Sequence, residues 1–578
     1  MMVHDASPPD TPASALGGQP AAAWIERLDR PRVRADAGNA GPLAGLRFAV
    51  KDNIDAAGLP TTAACPAFAY PAQEDAAVVR RLLDAGAQLW GKTNLDQFAC
   101  GLNGTRSPYG VVPNSFDARM VSGGSSSGSA YVVATGEVDF ALGTDTAGSG
   151  RVPAGLNNIV GIKPSRGLLS AFGVVPAAQS VDCVSIFART VELAARVLQV
   201  AMGFDARDPY SRTLALAPAQ WPERFRFGVP SLRAFFGDRA AEDAFDGAVA
   251  HLRSLGGTPV EIDYAPLAEA AALLYDSALV AERYAAVRSF FDAHEAEVIE
   301  PVRSILAQGR RYSAADYVQA RVRLHALAQR AQAMWDAIDV LAVPTAPTHC
   351  SIADMQADPL ERNSRMGVYT NFVNLLDYAA VSVPSSIDAR GLPFGITLVG
   401  PCGSDFALAA LGQRYHHGTG LPLGATGEAL PAAGALPLSA PPSTVKVAVV
   451  GAHLSGMPLN GQLAERGARL VAGTQTAPVY RLYALAGTAP PKPGLVRAAP
   501  GQGAAIAVEV WEMPLAHYGS FVALIPPPLG IGTLTLADGS LVQGFLCESQ
   551  ALEDATEITH HGGWRAYLEH RAAEALAA

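Results

Sequence analysis

"MVSGGSSSGSA", residues 120–130, and "GTDTAGSGRVP", residues 143–153, are the stretches on which the reading of this chain turns. Both crowd glycine with serine. Three readings compete: a flexible linker, a phosphate-binding loop, or the wall of an active site. The linker reading fails on context, because "AYVVATGEVDFALGTD" follows at once and is apolar enough for a core. Gly123 and Gly128 have the spacing of a phosphate loop, but Ser129 stands where that loop needs a lysine. A catalytic serine remains, and a serine hydroxyl attacks only when a base takes its proton.

Histidine is the usual base, yet residues 5–250 contain none. A distant segment could supply one. The lysines offer another candidate. Of 43 basic residues only five are lysine, at positions 51, 92, 163, 446 and 492. Arginine keeps its proton, whereas a desolvated lysine can lose it. A chain that writes arginine by habit but lysine in "LRFAVKDNID" marks Lys51 as a candidate base. The alternative is a structural lysine bonded to carbonyl groups.

The rest of the chain sets bounds. At 578 residues it calls for two or three domains. A net charge of −10 argues against nucleic acid or an anionic membrane as a partner. No apolar run reaches the eighteen residues of a membrane helix. The opening "MMVHDASPPDTPASALGGQP" lacks an apolar signal core, and six scattered cysteines form no C-x-x-C pair. The expectation is a cytoplasmic protein with free thiols, no metal and no cofactor. His416-His417 and His560-His561 have no further ligands at metal spacing and read as surface residues.

Residues 418–445 are Gly, Ala and Pro with almost no charge, which reads as a linker. The expected organisation is a domain over 1–420, a linker over 421–445 and a second domain over 446–578. In the first, "EDAAVVRRLLDAGAQLWGKT" reads as a helix, a glycine stop and a strand, and 261–337 read as helices, so the class is α/β. The second, with short β-branched runs and an Asp538-Gly539 turn, reads as mostly β.

"VKDNI", "SGGSSSGSA" and "GTDTAGSGRVP" in this order, flanked by "GKTNLDQFA" and "GIKPSRG", resemble the amidase signature family. The resemblance implies a central mixed β-sheet covered by helices and a Ser-cisSer-Lys catalytic unit. Ser149 is then the nucleophile, Ser125 the bridging serine in a cis peptide, and Lys51 the base. Such a lysine needs burial, since at an ordinary pKa of about 10.4 only roughly 0.04% is neutral at pH 7. Ser125 can both donate and accept, so it can pass a proton between Ser149 and Lys51. Backbone N–H groups of Thr146, Ala147, Gly148 and Ser149 can converge into an oxyanion hole. Ser126, Ser127 and Ser129 read as structural hydrogen bonders, and Asp145 with Arg151 as a scaffold ion pair.

Within that family the chain is similar to the allophanate hydrolases. "LLYDSALVAERYAAV", residues 273–287, resembles their substrate helix, with Tyr275 and Arg283 holding a carboxylate; the two stand about 80° apart on a helical wheel. "DSA" replaces the glycine-proline-tryptophan stretch usual there. "YTNFVNLLDYAAVSVPSS" and "GLPFGITLVGP" match closing segments, and "VAVVGAHLSGMPLNGQLAERGA" resembles an extra domain related in fold to γ-glutamylcyclotransferases. The resemblance implies hydrolysis of allophanate to ammonia and N-carboxycarbamate, downstream of a biotin-dependent urea carboxylase, and a homodimer is the expected assembly. His453, at a strand end between glycines and titrating near neutrality, is the candidate proton donor for decarboxylation in the second domain. A glutamine-dependent amidotransferase of the A type and a non-catalytic scaffold are the rival readings.

Overall fold

The computed structural model describes residues 22–34, 41–437, 444–499 and 501–577. The polar opening stretch lies outside them. The chain forms two compact units, Met1–Ser439 and Ala440–Ala578.

The first unit is built on one eleven-stranded sheet. Its strands in chain order are β1 (Trp24–Arg32), β2 (Arg47–Lys51), β3 (Gln88–Thr93), β4 (Phe140–Asp145), β5 (Val160–Lys163), β6 (Cys183–Ala188), β7 (Phe225–Pro230), β8 (Gly257–Ile262), β9 (Val340–Pro344), β10 (Ala379–Ile387) and β11 (Pro393–Gly400). They lie in the order β1-β3-β2-β4-β6-β5-β10-β11-β9-β7-β8. The sheet is mixed: β2 runs parallel to β3 and β4, while β6 is antiparallel to both β4 and β5. Strands β4, β5 and β6 are buried at every residue, which is why "FALGTD" and "CVSIFA" carry almost no charge.

Helices cover the sheet. In α1 (Ala77–Asp84), Val78, Val79, Leu82 and Leu83 fall on one face and are fully buried, while Arg80 and Arg81 turn outward. Gly86, at φ +88°, then turns the chain into β3. The expected helix, glycine stop and strand are all present.

The register of β2 on β4 matters most for the site. Val50 pairs with Leu142, so Lys51 at the end of β2 and Thr144 near the end of β4 emerge at the same edge of the sheet. Helix α2 (Ser127–Ala134) starts there, two residues after Ser125. Open α/β sheets gather functional groups at the carboxyl ends of adjacent strands in this way.

Much of the expected linker is held to the first unit. Asn158 Nδ2 donates to the carbonyls of Pro422 and Gly424, and Ala425 N–H donates to Ala134 O. Of the expected linker, only 438–443 lie outside the described residues. A stretch poor in large side chains still has backbone groups, and here these are the anchor.

The second unit has a five-stranded sheet of β12 (Thr444–Val449), β13 (Arg469–Gln475), β14 (Ala507–Pro514), β15 (Leu529–Thr535) and β16 (Leu541–Cys547), in the order β13-β14-β12-β16-β15. A three-stranded sheet accompanies it. The Asp538-Gly539 turn joins β15 to β16, with Gly539 at φ +83°.

Candidate active site

Lys51 is fully buried, and its ammonium meets two hydroxyls: Ser125 Oγ and Thr144 Oγ1, each at 2.7 Å. Burial lowers its pKa from 10.5 to about 7, with Arg283 acting in the same direction and the carboxylates of Asp96, Asp182 and Asp145 opposing. Ser125 follows a cis Gly124–Ser125 peptide bond, as the resemblance implies. Gly124 must be glycine for space: a Cβ there would lie 2.2 Å from Asp96 Oδ2 and 2.7 Å from Asn103 N. Asp96 in turn accepts N–H bonds from Asn103, Gly104 and Arg106 and so pins the loop beneath Ser125.

Ser149 is 3% exposed, and its Oγ donates to Gly101 O at 3.5 Å. The expected oxyanion hole is altered in one member. Gly148 N–H donates to Asp145 Oδ1 at 2.8 Å and is already engaged. An aspartate commonly collects the N–H groups just downstream of it. The N–H groups of Thr146, Ala147 and Ser149 remain the candidates for that role. Asp145 also accepts Gly150 N–H, and Arg151 clamps it through Nε at 2.9 Å and Nη2 at 3.0 Å, both side chains fully buried. The pair is scaffold, as expected.

Ser126 and Ser129 are also structural: Ser126 Oγ bonds Thr144 O, and Ser129 Oγ bonds Leu142 O and Thr93 Oγ1. Ser127 departs from expectation, because its hydroxyl is buried without a partner. Two residues of this site were not anticipated. Thr144 is the second ligand of Lys51, and Asp182 receives Thr146 Oγ1–H at 2.5 Å. Thr144 stands inside the quoted motif; Asp182 has no sequence signal beyond being a carboxylate in an apolar stretch.

Tyr275 and Arg283 come together, though not on one helix. Helix α3 (Ala265–Asp276) ends one residue after Tyr275, and α4 (Ala281–His294) starts two residues before Arg283. The break falls in the divergent "DSA" segment, where Ser277 Oγ donates to Leu273 O and accepts Leu279 N–H. Arg283 Nη2 still donates to Tyr275 Oη at 3.0 Å, with the guanidinium 5.1 Å from the ring centroid. Arg283 is 3% exposed, and its Nε and Nη1 are buried with no partner. A buried guanidinium with two free donors is a site for a planar anion.

In the second unit His453 is 9% exposed, stacks on Phe545 at 5.0 Å and bonds Gln462 Oε1 through Nε2 at 2.9 Å. It lines a cavity with Gly451, Gln462, Lys492 and Phe545. Burial pushes its pKa below the ordinary 6.5, and Lys492 adds to this. The hydrogen bond to Gln462 opposes both.

Of the paired histidines, His560 is exposed, but His416 is 1% exposed and burial pushes it down to about 4. Among the described residues no His, Cys, Asp or Glu cluster could hold a metal ion, and no helix is long and apolar enough to cross a membrane.

Residues 17–409 match the family described as Amidase. The chain belongs to the amidase family. Residues 445–569 match the allophanate hydrolase C-terminal domain. This amidase is 44% identical to the urea amidolyase of Saccharomyces cerevisiae over 544 residues, covering 91% of the chain but only 30% of that protein. It is 36% identical to the A-type subunit of the glutamyl-tRNA(Gln) amidotransferase of Symbiobacterium thermophilum, covering 68% of the chain and 86% of that protein. A crystal structure of Kluyveromyces lactis allophanate hydrolase superposes with a TM-score of 0.74 at 41% identity, covering 96% of this chain and 94% of that one. The amidase is accordingly a hydrolase of amide C–N bonds.

Proposed function

We propose that the amidase unit hydrolyses allophanate, a urea with a carboxylate on one nitrogen, with water to ammonia and N-carboxycarbamate. The observation that carries this reading is Arg283. Its two unpartnered donors beside Tyr275 suit a substrate carboxylate, which a neutral amide lacks and which free glutamine carries on its α-carbon, farther from the amide that is cut. The likeness to an allophanate hydrolase over nearly the full length supports it, as does the urea amidolyase likeness over 30% of that longer protein. The substrate would come from a biotin-dependent urea carboxylase.

In this mechanism neutral Lys51 accepts a proton from Ser125, which takes one from Ser149 as Ser149 Oγ attacks the terminal carbonyl carbon. Ser149 must exchange Gly101 O for Ser125 as its acceptor. Catalytic hydrogen bonds are often loose without substrate. The N–H groups of Thr146, Ala147 and Ser149 face the developing oxyanion. Lys51 then returns its proton through Ser125 to the leaving nitrogen. Ammonia departs, and water repeats the sequence on the acyl-enzyme.

In the second unit the cavity beside His453 is where N-carboxycarbamate would lose carbon dioxide. Lys492 there supplies the positive charge, and His453, held by Gln462, is the donor of the proton that the nitrogen takes as its bond to the departing carbon dioxide breaks. The first test is ammonia release by the purified chain from allophanate, malonamate and glutamine side by side. Preference for glutamine would replace this reading with the amidotransferase one. The second compares His453→Ala with the parent for carbon dioxide release; unchanged carbon dioxide with unchanged ammonia would remove His453 from the assignment.

A further inference from the structure

The reacting groups are buried: Ser149 and Arg283 are each 3% exposed, and Lys51 is fully enclosed. A substrate must reach them through a cavity beside the site. One such cavity, of about 360 Å³, has Leu102 and Tyr275 in its wall together with Asp276, Asp358 and Glu361. Arg106 also lines it, but turns its guanidinium to the carbonyl oxygens of Cys100 and Pro359. An anion entering there meets carboxylates.

Another cavity, of about 470 Å³, has the opposite character: Arg166, Arg212 and Arg321 line it with Tyr210, Tyr317 and Asp182. Two of these guanidinium groups are engaged in the fold. Arg212 grips Asp377 through Nη1 at 2.8 Å and Nη2 at 2.9 Å, and Arg166 donates to Ser180 O and to Asp377. Arg321 differs. It is half-buried, with neither a hydrogen-bond partner nor an ion pair among the described residues. It stands on α5 (Ala314–Gln332), one turn after Tyr317 and beside the buried stripe of Ala320, Leu324 and Leu327.

This cavity adjoins the reacting groups at two points. Asp182 in its wall accepts Thr146 Oγ1–H, and Thr146 stands three residues before Ser149. Ser180 in its wall donates through N–H and Oγ–H to Glu282, which also accepts Tyr317 Oη–H. Glu282 directly precedes Arg283 in α4. The cavity thus runs past both the nucleophile's loop and the turn of helix that carries Arg283. A cation without a counter-ion in a partly enclosed cavity draws anions, because low-dielectric walls focus its field.

We propose that this arginine-lined cavity is the entrance through which the anionic substrate reaches Ser149, and that Arg321 receives the substrate carboxylate before Arg283 does. This rests on the allophanate reading above. Arg321 acts on approach, at a distance from the bond that is cut, so its charge governs kcat/KM and leaves kcat alone. Salt should screen it, since the Debye length falls from about 30 Å at 0.01 M to about 3 Å at 1 M.

The test is kcat/KM and kcat for ammonia release from allophanate, at about 0.01 M and about 1 M salt, in the parent, Arg321→Gln and Arg321→Glu. Arg323→Glu is the control: it makes the same change of net charge two residues on, at a side chain 62% exposed that pairs with Glu269 instead. At low salt kcat/KM should fall about threefold in Arg321→Gln and about tenfold in Arg321→Glu, with kcat within twofold. At high salt both variants should rejoin the parent, and Arg323→Glu should follow the parent throughout. No loss at low salt, a loss that persists at high salt, a loss in kcat, or an equal loss in Arg323→Glu would overturn the entrance. Failure of the substrate reading shows in the parent instead, as no ammonia from allophanate. If such a parent takes malonamate, also an anion, the same series on malonamate decides the entrance; if it takes neither, this inference falls with that reading.

Discussion

Lys51 and Lys92 make a natural experiment within one sheet. Both are fully buried, and they stand on the neighbouring parallel strands β2 and β3, where Val50 pairs with Lys92 and Lys51 with Thr93. Lys92 meets Asp52 Oδ1 at 3.3 Å, Thr61 Oγ1 at 3.0 Å and Pro60 O at 3.3 Å. Lys51 meets only hydroxyls. Burial lowers both, and at Lys92 the Asp52 carboxylate works against it. Carbonyl and carboxylate oxygens only accept, so they satisfy an ammonium but cannot donate to an amine. A hydroxyl can do either. Lys51 therefore stays bonded in both protonation states, which is what a base in a relay requires, whereas Lys92 is matched to its charged state.

The most severe way to break the comparison is to remove each lysine in turn. Lys51→Met should lower kcat/KM by several orders of magnitude, and Ser125→Ala and Ser149→Ala should do the same without adding to it, since the three act as one relay. Lys92→Met should leave turnover per folded molecule within a few-fold. Steady-state ammonia release decides this. More than about a tenth of parental activity in Lys51→Met, or a collapse of turnover in folded Lys92→Met, would erase the distinction.

Arg283 sharpens the comparison, because it is the cation that helps keep Lys51 low. Arg283→Ala should cost about 2–5 kcal/mol in kcat/KM on the acidic substrate, the usual loss when a buried charged bond is cut, and less on a neutral amide. It should also move the pH profile. With Lys51 at about 7, the parental kcat/KM rises with pH through about 7 as the amine loses its proton; without Arg283 the lysine pKa goes up, and the acid limb shifts to higher pH. A limb that stays in place would mean that burial alone sets the lysine.

A stability measurement separates the two further. Lys92→Met leaves Asp52 buried without its cation, and breaking one side of such a pair costs about 3–5 kcal/mol. Asp52→Asn added to it should recover part of that loss. Calorimetric melting of the amidase unit checks both; an unshifted Lys92→Met would show that Thr62, which also bonds Asp52, suffices.

Much of this site was legible because its chemistry is local. "VKDNI", the serine-glycine run and "GTDTAGSGRVP" are short motifs that carry the family resemblance, and each sits at a strand end or helix start. What was missed depends on distance. Thr144 reaches Lys51 across 93 residues, and nothing in either segment announces the pair. Two misses were local and readable. Asp145 three residues before Gly148 is a standard capture of a backbone N–H. His416 follows Leu408, Leu411 and Tyr415 on the buried face of one helix, so its ring belongs inside and that of His417 does not. The end of α3 was less accessible, since Tyr275 and Arg283 suit a continuous helix until Ser277 caps the next turn.

The smallest effect tests why a lysine is tolerated here at all. Lys51 binds its proton less readily when folded, at about 7 against 10.5 unfolded. Between those values the unfolded chain carries a proton that the native chain lacks, so native stability rises with pH across that window. Below about 7 both states are protonated, and the folded protein bears the full cost of the buried charge. Lys51→Met removes that cost and abolishes this pH dependence. It also orphans one partner each of Ser125 and Thr144, which trims the gain. The expected outcome is an inactive variant that is more stable than its parent by about 0.5–2 kcal/mol near pH 6, with the advantage shrinking towards pH 10. Lys92→Met should be less stable than its parent at every pH in that range. Calorimetry at pH 6 and pH 9 reads both signs directly, and a Lys51→Met variant less stable than the parent at pH 6 would mean that the two hydroxyls already satisfy a charged lysine as fully as Asp52 satisfies Lys92.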